Sequence, residues 1–174
     1  MKKIVLLILT VFIFLSFLNT KEEEVLIPNE AIRLRVIASS NTVEDQNIKI
    51  QVRNKIQSEI IKLSDKKDID KTRKNIKADL KNIEEITKKT LKELNADSKY
   101  DINYGYNYFP DKQYKGVKYE EGYYESLVIT LGEGKGENFW CVLFPPLCLL
   151  EDDEAKTKEV EYKFYIQELI DKYF

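Results

Sequence analysis

The amino-acid sequence predicts an α+β domain of two layers, in which a mostly antiparallel sheet has two helices packed on one face. The periodicity of the apolar residues carries this prediction. They recur at helical spacing between residues 43 and 95, and they alternate with a period of two between residues 100 and 144. Each predicted helix has one apolar stripe beneath a dense Lys/Glu outer face, so both helices are expected to cover the same side of the sheet.

The bulk composition is that of one globular domain. The chain has 174 residues, of which 43% are hydrophobic and 33% are charged, and its formal net charge is -2. The charges are finely mixed and no basic patch stands out. Nucleic acid is therefore not expected as a partner.

The sequence contains no histidine. This absence excludes Ser-His and Cys-His nucleophilic sites, and it excludes zinc sites that contain histidine. The two cysteines are too few for a four-cysteine metal site within one chain. The sequence therefore predicts a protein that is not an enzyme and that uses no metal and no cofactor.

Residues 1–24 have the pattern of an export segment. Lys2 and Lys3 precede an apolar run at residues 4–18, and charged residues follow from Lys21. The run is shorter than the ~20 residues of a comfortable membrane span, and no clear cleavage site follows it. Removal of the segment and its retention as an anchor both stay open, and in either case the rest of the chain is expected outside the cytoplasm.

The first strand is expected at residues 31–38. Its apolar side chains point one way, whereas Arg33 and Arg35 point the other way. Two interpretations of the arginines stay open. They form a solvated face, or they anchor acidic loop residues such as Glu133, because the arginine fork matches a carboxylate.

Two amphipathic helices are expected next. The first spans about Val43 to Leu63, with Asn41 or Thr42 as its N-cap. The second is marked by apolar residues at helical spacing from Ile76, and it is expected to end near Asn95.

Three strands are predicted after the helices, at residues 100–109, 123–131 and 139–144. A short loop joins the last two, which are therefore expected to pair as an antiparallel hairpin. The folded domain is expected to span residues 25–150. Residues 151–174 are expected to add an acidic linker, a final strand and a short helix.

The most informative stretch begins at residues 132–138, where three glycines alternate with charged residues. Alternate glycines let another surface come close, and loops on rigid scaffolds commonly carry recognition. We therefore predict a partner-binding loop, with Arg33 and Arg35 as further candidates. Its predicted contact residues are Glu133, Gly134, Lys135, Gly136, Glu137 and Asn138.

Other chemistry for the same loop is less well supported. Phosphate-binding loops run from a strand into a helix, whereas this loop is acidic and runs into a strand, so nucleotide binding is not expected. Glu133 and Glu137 form a candidate carboxylate pair. A cell-wall glycan hydrolase that uses this pair is the alternative function.

The strand after the loop has structural rather than chemical signals. Trp140 is the only tryptophan and is expected in the core, and Pro145 and Pro146 are expected to end the strand because they have no N–H. Cys141 and Cys148 are either a disulfide or two free thiols. In an exported chain the even cysteine count favours a disulfide that fixes the Pro-Pro corner.

Three segments of the chain resemble the stage II sporulation protein R family. The first is residues 132–148, where Phe139 replaces a tryptophan of the family pattern. The second is residues 27–41 followed by Asp45, Gln46, Val52 and Arg53, and the third is Tyr108-Phe109-Pro110 with Lys112, Tyr114 and Gly116.

This resemblance covers residues 27–148 and implies a secreted signalling protein of endospore-forming bacteria. Such proteins are exported from the forespore into the space between its two surrounding membranes. There they activate a membrane-bound aspartic protease of the mother cell, which processes a sigma-factor precursor. The expected partner of this chain is the ectodomain of that protease.

Overall fold

The computed structural model describes residues 25–65, 67–97, 99–114, 117–146 and 167–174. The elements, in chain order, are β1 (Val25–Leu26), β2 (Ile32–Ile37), α1 (Val43–Leu63), α2 (Ile69–Ala78), α3 (Leu80–Glu93), β3 (Tyr100–Phe109), β4 (Lys112–Tyr114), β5 (Val117–Tyr119), β6 (Gly122–Leu131), β7 (Asn138–Phe144) and α4 (residues 167–173).

A four-stranded mixed sheet in the order β3-β6-β2-β7 forms the centre of the fold. β2 pairs parallel with β6 and antiparallel with β7, and β3 pairs antiparallel with β6. The predicted α+β class is confirmed. The prediction that β6 and β7 pair as a hairpin is wrong, because β2 lies between them.

The position of β2 follows from its side chains. Ile32, Leu34 and Val36 are fully buried against the helices, and Arg33 on the opposite face is buried too. A strand that is covered on both faces is best placed inside a sheet, where both of its backbone edges have hydrogen-bond partners. The short β6–β7 connection therefore passes over the end of β2.

The predicted first helix is confirmed as α1. Thr42 is its N-cap, and the Thr42 side-chain oxygen accepts a hydrogen bond from the Asp45 N–H at 3.2 Å. The inner face of α1 joins the sheet in the main core. That core also contains Ile76 of α2, Ile83 and Leu91 of α3, Leu127 and Ile129 of β6, and Leu143 of β7.

The predicted second helix is two helices. Asp79 interrupts the helical path between α2 and α3, with φ -99° and ψ 6°. Aspartate is a poor residue for a helix interior because its side chain competes for nearby backbone groups. α3 ends where the sequence indicates, since Asn95 follows it with a positive φ of 51°, a conformation common at helix C-termini.

A second sheet, in the order β1-β5-β4, was not predicted. Next to it, Ile27, Ala31 and Val142 form a small buried cluster, against which Leu169 and Ile170 of α4 pack. The final strand that the sequence predicts before residue 167 lies outside the described residues.

Within the described part of the chain, no helix combines the length and the apolar character that crossing a membrane requires. The expected export segment, residues 1–24, lies outside that part.

Candidate functional site

Residues 132–137, here called the glycine loop, connect β6 to β7. Gly132 and Gly134 have positive φ angles of 54° and 64°, which glycine adopts without steric cost. A Cβ atom on Gly132 would collide with the side chain of Ser39, and one on Gly134 would collide with Thr130. The glycines therefore determine the path of the loop.

The surface that comes close to the glycine loop is the chain's own turn between β2 and α1. The Gly136 N–H donates to the Ala38 carbonyl oxygen at 2.9 Å, and the Glu137 N–H donates to Asn41 Oδ1 at 2.7 Å. A Cβ atom on Gly136 would collide with the Ser40 carbonyl group. These contacts fix the backbone of the loop against the end of β2.

A buried lysine of α1 supports the same junction. Lys49 is 8% exposed, and its ammonium group donates to the Glu137 carbonyl oxygen at 3.2 Å and to Gln46 Oε1. Gln46 Nε2 donates in turn to the Ser40 carbonyl oxygen at 2.9 Å. Burial lowers the pKa of Lys49, and the Glu137 carboxylate opposes that shift. The sequence analysis missed Lys49, although its position three residues before Val52 places it on the apolar stripe of α1.

The charged side chains of the glycine loop are exposed. Glu133 and Lys135 pair at 2.6 Å, with 61% and 76% of their side chains exposed, and Glu137 is exposed as well. Asn138, the first residue of β7, is half-buried. Because the general acid of a glycosidase needs a protected environment, this exposure disfavours a hydrolase that uses Glu133 and Glu137.

Arg33 and Arg35 lie on the face of the sheet opposite the helices. Both interpretations from the sequence are wrong for Arg33, which is 1% exposed and whose Cζ lies 3.4 Å from the centre of the Tyr124 ring. Arg35 is half-buried, and its Nη1 donates to the Tyr108 carbonyl oxygen at 3.4 Å. Neither arginine anchors Glu133, whose carboxylate pairs with Lys135 instead. Burial lowers the pKa of both guanidinium groups.

Three aromatic rings complete this surface, which we call the arginine–aromatic face (Arg33, Arg35, Phe109, Tyr124 and Trp140). Phe109 is 1% exposed and meets Trp140 edge-on, with ring centres 5.3 Å apart. The Tyr124 ring lies 6.2 Å from Phe109 on the other side. Trp140, expected in the core, is half-buried, so this face is not fully closed.

The corner after β7 begins where the sequence indicates. β7 ends at Phe144, and Pro145 and Pro146 form the turn that follows. Cys141 is buried in the main core. Cys148 lies outside the described residues, so the pairing of the two cysteines stays a prediction.

A buried charged cluster joins α2 to β6 and was not predicted. Arg73 Nε lies 2.7 Å and 2.8 Å from the two carboxylate oxygens of Glu125, and the Tyr104 hydroxyl donates to the same carboxylate at 2.8 Å. Burial alone would raise the pKa of Glu125, but the hydrogen bonds from Arg73 and Tyr104 hold that pKa below its usual range. Strand alternation predicts on which face of the sheet the Glu125 side chain lies. It does not reveal that its partner is Arg73, more than 50 residues away in the chain.

Comparison with known proteins assigns the chain to a family. Residues 28–154 match the model of the family described as stage II sporulation protein R. The chain belongs to the stage II sporulation protein R family. The stage II sporulation protein R of Bacillus subtilis (strain 168) is 36% identical to it over 184 aligned residues, which cover 92% of this chain and 82% of that protein. No solved structure matches.

Membership of the stage II sporulation protein R family places the chain among sporulation proteins, and the three segments that carry the resemblance meet in the fold. Asn41 holds the glycine loop, and Gln46 holds the Ser40 carbonyl group in the turn beside it. Lys112 Nζ lies 4.9 Å from the centre of the Trp140 ring, at the arginine–aromatic face. The loop and this face are neighbours, because Trp140 on β7 lies opposite Arg35 on β2, two residue pairs from the Ile37–Asn138 pair that adjoins the loop. The family segments thus build one region along the β2–β7 pair.

Proposed function

We propose that this sporulation protein is an exported signalling ligand without enzymatic activity. Its receptor is the membrane-bound aspartic protease of the mother cell, and binding activates that protease to process a sigma-factor precursor. The family membership supports the role in sporulation. The glycine loop supports a role in recognition.

The observation that carries the proposal is that the glycine loop has a fixed backbone and exposed charged side chains. The backbone of the glycine loop is held by Asn41, Lys49 and the end of β2, so the loop has little freedom left to lose when a partner binds. Its charged side chains remain available to that partner. The proposed contact residues are Glu133, Gly134, Lys135, Gly136, Glu137 and Asn138.

In this proposal the chain acts between the forespore and mother-cell membranes. Lys2, Lys3 and the apolar run at residues 4–18 support export. We propose that residues 1–24 are an export signal or an N-terminal anchor, and that the folded domain meets the protease ectodomain outside both cytoplasms.

Charge reversal in the loop tests the proposal. Glu133→Lys combined with Glu137→Lys should abolish processing of the sigma-factor precursor in sporulating cells, because charge reversal at an interface removes complementarity. Both residues are exposed, so the variant should still fold, with some loss of stability because Glu137→Lys places a like charge near the buried Lys49 ammonium group. A matched control is Glu84→Lys with Glu85→Lys, which makes the same charge change at two exposed positions of α3.

A thermal melt of each variant accompanies the processing assay. Normal processing by the folded loop variant would exclude the loop from the interface. Equal loss of processing in the α3 control would show that net charge, rather than the loop, controls activation.

A further inference from the structure

The guanidinium group of Arg33 lacks a hydrogen-bond acceptor. Its Nε, Nη1 and Nη2 atoms are all buried, and none has a hydrogen-bond partner in the described part of the chain. Tyr124 stacks on Arg33, and its hydroxyl group opposes the lowering of the Arg33 pKa by burial, but it makes no hydrogen bond of good geometry with these donors. Buried charged groups in folded proteins are normally paired or hydrogen-bonded, so the Arg33 charge is left uncompensated within this face.

Two further donors on the same face are unsatisfied. Arg35 Nε and Trp140 Nε1 are buried and have no hydrogen-bond partner among the described residues. Arg35 and Trp140 lie opposite each other on β2 and β7, and both residues are half-buried. This side of the arginine–aromatic face is therefore partly open to solvent.

Arg33 and Arg35 carry two positive charges on this face, and neither forms an ion pair with a carboxylate of the described residues. Arg33 and Arg35 are two residues apart on one strand face, a separation of about 7 Å. Arginine does not lose its proton in proteins, and like charges at this distance repel each other. An anion at the half-open side would satisfy the Arg35 and Trp140 donors and would balance the charge of both arginines.

We propose that the arginine–aromatic face binds a carboxylate, and that this carboxylate is an Asp or Glu side chain of the protease ectodomain. The carboxylate approaches from the half-open side, and because Arg35 Nε and Trp140 Nε1 are buried in the free protein, the Arg35 and Trp140 side chains turn toward it to donate. Arg33, behind them, adds positive potential and does not touch the ligand. The identity of the partner rests on the proposed function, whereas the site itself rests on the unsatisfied donors.

The shape of the face favours a carboxylate over a larger anion. Arg35 Cζ lies 5.7 Å from the centre of the Trp140 ring and 5.8 Å from the centre of the Phe109 ring, so the guanidinium group is flanked by aromatic walls. A planar carboxylate matches the arginine fork, and aromatic walls exclude water and strengthen the interaction. The chain's net charge of -2 disfavours a phosphate-rich membrane surface as the source.

Acetate is the probe for the site itself. The full chain, purified in detergent, is melted in about 0.2 M sodium acetate and in sodium chloride of the same ionic strength. A dissociation constant in the tens of millimolar predicts a melting temperature about 2–4 °C higher in acetate. Arg35→Gln should lose this difference, whereas Lys89→Gln, which removes a positive charge from the exposed side of α3, should keep it.

Precursor processing is the probe for the partner. Arg35→Gln and Arg35→Glu, shown to fold by their melts, should lose processing at least 10-fold, on the order expected when one charged contact of an interface is removed. Arg35→Lys should restore part of it, because it keeps the charge without the fork. Asp→Lys or Glu→Lys substitutions in the protease ectodomain should include one that restores processing by Arg35→Glu.

Three results would overturn the inference. The first is an equal melting shift in acetate for the wild type and Arg35→Gln. The second is normal processing by the folded Arg35→Gln protein. The third is an acetate response that appears only after residues 151–154, an acidic run of this chain, are neutralised, because that run would then be the ligand. If the wild-type protein itself does not affect processing, the proposed function fails, and the acetate result still decides whether the site exists.

Discussion

Gly136 lets the glycine loop lie close to the β2–α1 turn because glycine has no Cβ atom. A Cβ atom at this position would collide with the backbone carbonyl of Ser40, which cannot move without disturbing β2 and α1. Gly136→Ala should therefore lower the free energy of unfolding by about 1–3 kcal/mol. Gly105→Ala is the matched control, since the atom nearest to its Cβ would be Asn103 Oδ1 at 3.9 Å. Urea unfolding of both variants checks this, and equal stabilities would contradict it.

The Arg73–Glu125 pair predicts a specific response to acid. The pKa of Glu125 is held below its ordinary value of 4.5, so the folded state binds fewer protons there than the unfolded state. The stability that this pair contributes is therefore present above pH 4.5 and is lost as the pH falls through the lowered value.

The free energy of unfolding of Glu125→Gln should consequently be lower than that of the wild type near neutral pH, by about 2–3 kcal/mol. Breaking a fully buried ion pair would cost more, but the Arg73 side chain is 28% exposed. Its loss of stability between about pH 5 and pH 3 should be smaller than that of the wild type. Urea unfolding at several pH values measures both effects. Glu85→Gln, an exposed carboxylate, should give a curve parallel to the wild type.

The roles of single residues were only partly predictable from the sequence. The glycines at 132, 134 and 136 indicated close approach, but a pattern of glycines does not reveal that the approaching surface is Ser39 and Ser40 of the same chain. The burial of Arg33 was missed for a different reason. Alternation assigned it to the second face of the strand, but whether that face is solvated depends on where the strand lies in the sheet.

Elements with strong local signals were predicted well. α1 has its expected ends because the Thr42 cap and the apolar period are encoded within the helix and its flanks. Strand pairing was not predictable in the same way. The short β6–β7 connection indicated a hairpin, yet β2 lies between the two strands because it buries both of its faces. Its partners lie about 90 to 110 positions away in the chain.

β7 changes environment along its length, and this predicts unequal effects of truncation. Its first three residues, including Trp140, are half-buried, and its last four are buried. Trp140→Ala should cost about 1–3 kcal/mol, whereas Phe109→Ala, which removes the fully buried ring packed against it, should cost about 3–5 kcal/mol. Thermal and urea unfolding of the two variants gives the comparison. A larger loss for Trp140→Ala would contradict the half-open face.

For the whole molecule, the proposed export predicts a Cys141–Cys148 disulfide. Thiol labelling in denaturant, where burial of Cys141 no longer protects it, should detect both cysteines only after reduction. Replacing both by serine should lower stability by roughly 2–3 kcal/mol, since the closed loop is short. Labelling of both cysteines without reductant would exclude the bond and leave the corner to Pro145 and Pro146.

The central position of β2 also sets the order in which the domain can assemble. β2 is the first strand of the main sheet along the chain, whereas its two neighbours, β6 and β7, are the last, with all three main helices between them. A chain that emerges N-terminus first from a ribosome or a translocation pore presents β2 long before either neighbour exists. Such distant pairings make folding slow, because the entropy of closing a long loop is lost before the strand contacts form to compensate for that loss. The four-stranded sheet therefore cannot form until Phe144 has emerged. Until then the polypeptide can remain unfolded enough to pass through a pore.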